Sequence, residues 1–504
     1  MDTIKDNNTN NRVYDDYPTL QNYDSIHYDI SGVKLEWGGN MPHIQIPLGV
    51  EIIAEGAFKG YSKIIDVIIP NTVNLIESGA FEDCVSLKNI EIPNSVTQIG
   101  NDLGSNDKGA FSGCKSLKNI AIPNSVTKIN RYTFKNCTGL TNVEILDSVS
   151  FIDEGAFFGC SALTSIKISN KVKGIGKSAF SGCRSLTNIK IPNSVIMIEK
   201  NAFYGCSNII QIENGIQYVD KWVIGCDTSV TTATLRSDTV GIADGAFCGC
   251  GGLTSLTLPN NVKSIGRNAF SGCKNFDKIT IPNNVTDIGI MAFEGCTNLK
   301  IYCEVGGKQQ GWGNEWNRTN RYGRKDYYCD VTWNCSNIDG IIYKIENNMA
   351  KLLKCMGNKC GELKIPQRIS HLENLYNVTS IDHNAFMNQY GITSIEISDK
   401  VTNIGNQAFL SCSNLTDITI PNSVTYIGDR AFAYCNNLKS IVIPNSLVSI
   451  GNSVFSYCEN LVDIKFNGTR KQWKKIAKQH KKSYQSKLLI NGCEVVCVDG
   501  AIKK

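Results

Sequence analysis

The apolar positions of this chain recur with a period much longer than that of a helix or a strand. Between Cys183 and Cys206 the sequence reads CRSLTNIKIPNSVIMIEKNAFYGC, which reduces to C-x2-L-x2-I-x-I-P-x-S-V-x2-I-x3-A-F-x2-C with a period of 23 residues. Its phenylalanine returns at Phe58, Phe81, Phe111, Phe134, Phe157, Phe180 and Phe203, then at Phe247, Phe270 and Phe293, and again at Phe386, Phe409, Phe432 and Phe455, fourteen copies in all. The step from Phe81 to Phe111 is 30 residues, so seven extra residues around NDLGSND bulge from one coil. A fixed period of this size marks a stacked-repeat architecture.

Within one repeat the pattern predicts four local pieces. Ile189 and Ile191 alternate with polar residues, as in a strand with one buried face. Pro192 cannot donate to a ladder and closes that strand. Asn193 and Ser194 have turn chemistry, and Val195 and Ile198 occupy a second short extended segment. Phe203, Cys206 and Ile209 are spaced for a tight helical turn of about three residues per turn. The apolar residues of one coil offset less than the conformational entropy of ordering it, so a coil holds its shape only between neighbours that add backbone ladders and cover both its flanks. The fold class is therefore a repeat solenoid of about fourteen coils with two interruptions.

The pattern SLTNIKIPNSVxxIxxxAFxGC resembles the leucine-rich repeats of the BspA-like family, over most of residues 37–466. Two further segments are similar to that family: KQQGWGNEWN, with Trp312 and Trp316, and FNGTRKQWKKI, with Trp473. The resemblance implies a right-handed leucine-rich-repeat coil of short parallel strands, extended segments and tight helical turns. It also implies a surface-exposed or secreted binding protein, often an adhesin, without catalytic residues.

Departures from the repeat divide the chain. Residues 1–36 are polar and read as an N-terminal tail or cap, followed by a first array over 37–212. An interruption at 213–232, in which Tyr218, Trp222 and Ile224 alternate as in an extra hairpin strand, precedes a second array over 233–300. A Trp/Tyr/Cys-rich interruption covers 301–376, a third array 377–466, and a basic cap 467–504.

Composition adds constraints. The net charge is +5, too mild on 504 residues to argue for nucleic acid, and no specific nucleic-acid partner is expected. No run of about 18 apolar residues exists, so no transmembrane segment is expected. The first twenty residues lack the apolar core of a secretory leader, which sets a cytoplasmic interaction scaffold beside the surface reading. Twelve of the 21 cysteines share one repeat position, from Cys84 to Cys458, and read as a buried ladder of free thiols. Cys355-x4-Cys360 and Cys493-x3-Cys497 have roughly zinc-like spacing but lack a matching second pair or a histidine, so no metal or other cofactor is expected. No nucleophile–base arrangement or phosphate loop appears in a supporting context, so the chain is read as non-enzymatic; a module hidden in 301–376 is the remaining enzyme or zinc alternative.

Three surfaces are candidates for binding a protein or glycan partner. The residue between the two strand isoleucines points to solvent and forms a ribbon that includes Glu91, Glu144, Lys167 and Lys190, continuing at Thr257, Thr280 and Glu396. The interruptions concentrate the residue types enriched at interface hot spots, with Trp222, Trp312, Trp316, Tyr327 and Trp333. The run RKQWKKIAKQHKKSYQSK places Trp473 and Ile476 at helical spacing among lysines; Lys474, Lys475, Lys481 and Lys482 are candidates for an anionic surface.

Overall fold

The computed structural model describes residues 42–100, 108–319, 328–477 and 494–502. They divide into two units, one of residues 1–277, 284–298 and 309–329, the other of residues 278–283, 299–308 and 330–504.

In the first unit the coil has the expected plan. The strand Ser165–Lys167 pairs parallel with Asn142–Glu144, residue for residue at the repeat spacing, as Ile166 faces Val143 and Lys167 faces Glu144. The second extended segments form their own parallel row, with Phe151–Ile152 beside Gly174–Ile175. In the tight-turn segment the Ala156, Cys160 and Leu163 amides donate to the carbonyls three residues earlier, at 3.1–3.2 Å. These turns are separated by two left-handed residues, Gly155 and Gly159 in this coil and Asn201 and Gly205 in a later one. That is why glycine or asparagine flanks many of the phenylalanines. The turn also ladders to its neighbour, since the Phe157 amide donates to Ala179 O at 2.8 Å. Every side of the coil is thus hydrogen-bonded along the stack.

The phenylalanines form a continuous file. From Phe58 to Phe203 consecutive rings lie 5.1–5.7 Å apart, with planes within 16° of parallel. The ladder thiols lie beside it, fully buried, each donating to the phenylalanine carbonyl of the preceding coil: Cys160 Sγ reaches Phe134 O at 3.1 Å and Cys183 Sγ reaches Phe157 O at 3.3 Å. Desolvation pushes the Cys160 thiol up to about 12. Cys84, Cys114, Cys137, Cys160, Cys183 and Cys206 are all reduced.

The first interruption enters the same unit as a hairpin. Ile216–Val219 pairs antiparallel with Trp222–Cys226, which pairs parallel with Gly241–Ile242. A Cβ on Gly241 would lie 2.5 Å from the Trp222 ring, so glycine makes room for the indole. Ile212, at a repeat strand position, lies in a strand that pairs with the hairpin and leaves it 65% exposed. Beyond Phe293 the file ends on Trp316, packed edge-on at 6.0 Å. Gly311–Trp312 continues the second row beside Asp287–Ile288.

In the second unit Lys278–Ile281, Lys300–Cys303 and Asp330–Thr332 form a parallel set. The chain then runs as an antiparallel meander through Cys335–Ile338, Ile341–Glu346 and Met349–Cys355. Met349–Cys355 joins the coil row by pairing parallel with Asn374–Ile381. Regular coils follow, with Phe386, Phe409, Phe432 and Phe455 stacked at 5.2–5.9 Å. The end is covered twice. Glu494–Cys497 adds a parallel strand to Asp463–Phe466, and the helix Arg470–Ala477 buries Trp473 and Ile476. Thr469 and Gln472 cap that helix reciprocally: the Gln472 amide donates to Thr469 Oγ1 and the Thr469 amide to Gln472 Oε1.

The two units hold about 18 coils rather than fourteen. The additional rungs carry no phenylalanine and so escape a count of that residue. Trp222–Cys226, Gly311–Trp312, Met349–Cys355 and Glu494–Cys497 each pair parallel with a neighbouring strand. Among the described residues of 301–376, the strands join the sheets of the two units.

Candidate functional site

The ribbon of the first unit is built from the repeat itself. The central residue of each first strand is buried, so its two neighbours face solvent, and Glu91, Glu144, Lys167 and Lys190 are all exposed. Lys167 Nζ lies 2.6 Å from Glu144 Oε1 across one rung, a contact that raises the lysine pKa. Beside this row Thr141, Thr164 and Thr187 donate their hydroxyls to carbonyls of the preceding coil, which fixes a ladder of small polar side chains. Around Lys167 and Lys190 the ribbon is hollowed into a shallow groove of about 410 Å³, also lined by Ser165, Asn170, Asn188 and Pro192. Thr280 departs from the expected pattern: it is buried, and Asn337 Nδ2 approaches its hydroxyl at 3.5 Å. The meander, which has no counterpart in the repeat, covers it.

The aromatic candidates separate sharply. Trp222, Trp312 and Trp316 are 1–3% exposed and belong to the packing between coils, so none is available as a surface hot spot. The physical reason is the one that buries the phenylalanines: a flat ring fills the gap that a missing repeat residue would leave. Trp312 also satisfies its indole, donating to Val285 O at 3.1 Å. Trp333 is half-buried and lines a cavity of about 790 Å³ in the second unit. Tyr327 lies outside the described residues.

That cavity contains residues for which no role was expected. His371, Tyr376, Asn347 and Asn348 line it together with Trp333, Asn334, Lys344 and Glu346. Two dipeptides could have pointed to its walls, because Asp339-Gly340 and Asn347-Asn348 stand between alternating apolar runs and are hairpin turn signals. All four residues have left-handed backbones.

Cys355 is buried in the core of the second unit, whereas Cys360 is exposed on the strand Cys360–Lys364. Cys493 lies outside the described residues, and among those residues no three His, Cys, Asp or Glu side chains gather as a ligand set. On the helix Arg470–Ala477, Lys474 and Lys475 are exposed while Trp473 and Ile476 pack inward. Lys481 and Lys482 lie outside the described residues. Among those residues no helix is long and apolar enough to cross a membrane.

The family model described as "BspA type Leucine rich repeat region (6 copies)" matches residues 36–108, 104–225, 224–303 and 362–483. No curated protein matches the sequence. Among solved structures, a leucine-rich repeat protein from Bacteroides ovatus is 22% identical, with 95% of this chain and 99% of that one covered and a TM-score of 0.36. A leucine rich cell surface protein from Faecalibacterium prausnitzii is 23% identical, with 92% and 98% covered and a TM-score of 0.27. The leucine rich repeat protein of T. pallidum is 24% identical, with 50% and 86% covered and a TM-score of 0.20.

Proposed function

The chain belongs to the BspA-type leucine-rich repeat family, and from that premise we propose that it is an adhesin-like binding scaffold, displayed at the cell surface or secreted, whose ribbon takes a protein partner. The observation that carries this reading is the in-register row of exposed side chains over a hydrogen-bonded ladder, with the groove at Lys167 and Lys190. Such a surface is already ordered before contact, so a partner engaging it loses little of its gain to ordering the scaffold. Charges of both signs along the row, Glu91 and Glu144 beside Lys167 and Lys190, favour a partner whose own charges alternate in register. At the far end of the chain, exposed Lys474 and Lys475 supply a basic margin suited to an anionic surface.

The test is solid-phase binding of the full chain to host-cell monolayers and matrix-protein coats, with albumin as the control. The double variant Lys167→Ser, Lys190→Ser is expected to weaken capture at least tenfold with only a small fall in melting temperature, because the Lys167–Glu144 pair it removes is solvent-exposed. Undiminished capture by that variant removes the ribbon from the reading. Cell fractionation addresses placement: a pool confined to the cytosol would replace the adhesin with an intracellular interaction scaffold.

A further inference from the structure

The cavity in the second unit is not part of the repeat, and its chemistry differs from that of the ribbon. Three pieces of chain border it. One is the stretch Val331–Asn334, running on from the strand Asp330–Thr332. The second is the tip of the hairpin formed by Ile341–Glu346 and Met349–Cys355. The third is the hairpin formed by Arg368–His371 and Asn374–Ile381, placed close to the meander where Ser336 Oγ approaches Ser370 O at 3.4 Å. The Ile345 amide donates to Asn334 O at 2.8 Å and joins the first wall to the second.

The backbone around the opening is unusual. Asn334, Asn347, Asn348, Leu372 and Glu373 all hold φ between +46° and +66°. Asparagine tolerates that region, but leucine and glutamate do so at a cost of about 1–2 kcal/mol each. Four of the five belong to Asn347-Asn348 and Leu372-Glu373, the two-residue turns that close the two hairpins, and such turns hold both of their residues left-handed.

One buried polar side chain lines the cavity. His371 is 6% exposed, and its Nε2 has no hydrogen-bond partner. Its ring is held edge-on to Tyr376, with centroids 6.3 Å apart. Burial lowers the imidazole pKa, which keeps the ring neutral near neutral pH. A neutral histidine with one uncommitted nitrogen is a ready partner for a hydroxyl, as donor or acceptor according to tautomer. Nε2 is itself shielded from solvent, so leaving it unpaired costs free energy that a bound hydroxyl recovers once the ring turns toward the opening.

The remaining lining selects among ligands. The volume, about 790 Å³, falls within the range of small-ligand sites, and the cavity is broadly open to solvent. Lys344 and Glu346 pair at 3.4 Å, so their charges largely cancel and the site has little pull on an anion. Asn334, Asn347 and Asn348 are exposed amides that can donate and accept at the same time, as vicinal hydroxyls require. Trp333 and Tyr376, both half-buried, supply aromatic faces whose negative charge complements the C–H face of a pyranose ring. Aromatic rings, amides, an uncommitted imidazole and balanced charge together fit a neutral, polyhydroxylated ring.

We propose that this cavity is an oligosaccharide-binding site that takes a neutral glycan, one pyranose ring lying against Trp333 and Tyr376 and its hydroxyls meeting Asn347, Asn348 and His371. This assignment stands independently of the ribbon groove at Lys167 and Lys190, which lies in the other unit.

The test uses the full chain on a printed array of neutral hexose and N-acetylhexosamine oligosaccharides, with the strongest binder followed by calorimetry. Binding at micromolar to millimolar Kd is expected, little changed between low and high salt. Trp333→Ala should weaken it at least tenfold. Asn347→Gly with Asn348→Gly removes both amides but suits the left-handed turn, so the hairpin is retained and a comparable loss is expected with an unchanged melting temperature. Lys167→Ser with Lys190→Ser should leave glycan binding intact, which separates this site from the ribbon. The proposal is overturned if no array glycan binds, if binding survives both cavity variants, or if binding is salt-sensitive and lost only when Lys474 and Lys475 are replaced.

Discussion

The phenylalanine file offers the most direct test of stacking as the source of stability. Phe157 and Phe180 are fully buried, with ring centroids 5.4 Å apart and planes 2° from parallel. Changing either to leucine keeps most of the apolar volume and removes the ring, at about 1–2 kcal/mol each. A stacked aromatic pair is worth about 0.5–1.5 kcal/mol beyond its area burial. The double variant should therefore cost less than the sum of the two singles by about that amount, because the stack contact is lost only once. Phe157 and Phe203 provide the comparison, since Phe180 stands between them and stacks on both. Their double variant should be additive to within about 0.5 kcal/mol. The assay is equilibrium urea unfolding of the full chain by far-UV circular dichroism, with midpoints compared at a shared slope. Equal coupling for the adjacent and the separated pair, or none for either, refutes the nearest-neighbour account of this stack.

Thiol chemistry and pH give two further expectations. Burial pushes Cys84, Cys160 and Cys412 up to about 12, whereas Cys248 and Cys360 are exposed, so a disulfide reagent at pH 8 should label the exposed pair quickly and these three ladder thiols only after denaturation. Peptide mapping that finds Cys160 among the early products would contradict the ladder. Asp244 is raised from 3.8 to about 6, chiefly by burial and secondarily by Glu199, against the Arg267 amide that donates to its Oδ1 at 2.7 Å. A carboxyl raised in the folded state contributes stability while protonated, below about pH 4, and loses that contribution as pH rises through about 6. Asp244→Asn keeps an oxygen for the Arg267 amide and does not titrate, so between pH 4 and 7.5 it should gain about 2–3 kcal/mol relative to the parent, at about 1.4 kcal/mol per pKa unit. Parallel pH–stability curves for the two proteins would show that Asp244 is not desolvated.

Much of the architecture was legible along the chain, because each coil repeats the same buried positions at one spacing. Ile166 and Ile189 sit at the same rung position, as do Cys160 and Cys183, so reading one repeat amounts to reading its neighbours. Alternation placed Tyr218, Trp222 and Ile224 on one strand, whereas Tyr218 stands on one arm of a hairpin and Trp222 and Ile224 on the other, with the turn at Asp220 and Lys221. The count of coils was not, because a rung closed by a tryptophan hairpin or a terminal strand carries no phenylalanine to mark it. Nor could the left-handed residues beside each phenylalanine be read with confidence from composition, because Ser178, Met291 and Arg430 hold the same conformation as glycine.

Sequence alone determined the rung: its strands, its turn, its buried file of rings and thiols, and the exposed row between the strand isoleucines. Those properties depend on residues within one repeat and on the identical repeat beside it. Only the tertiary structure decided the fate of the residues between arrays. Trp222 and Trp316 went into the packing, while Trp333 came to a cavity wall. That outcome depends on the space the adjoining chain leaves, such as the room Gly241 makes for Trp222. The cavity itself joins residues from 331–334, 344–348 and 371–376. No local pattern encodes that meeting, because it is produced by the pairing of strands that are distant in the chain.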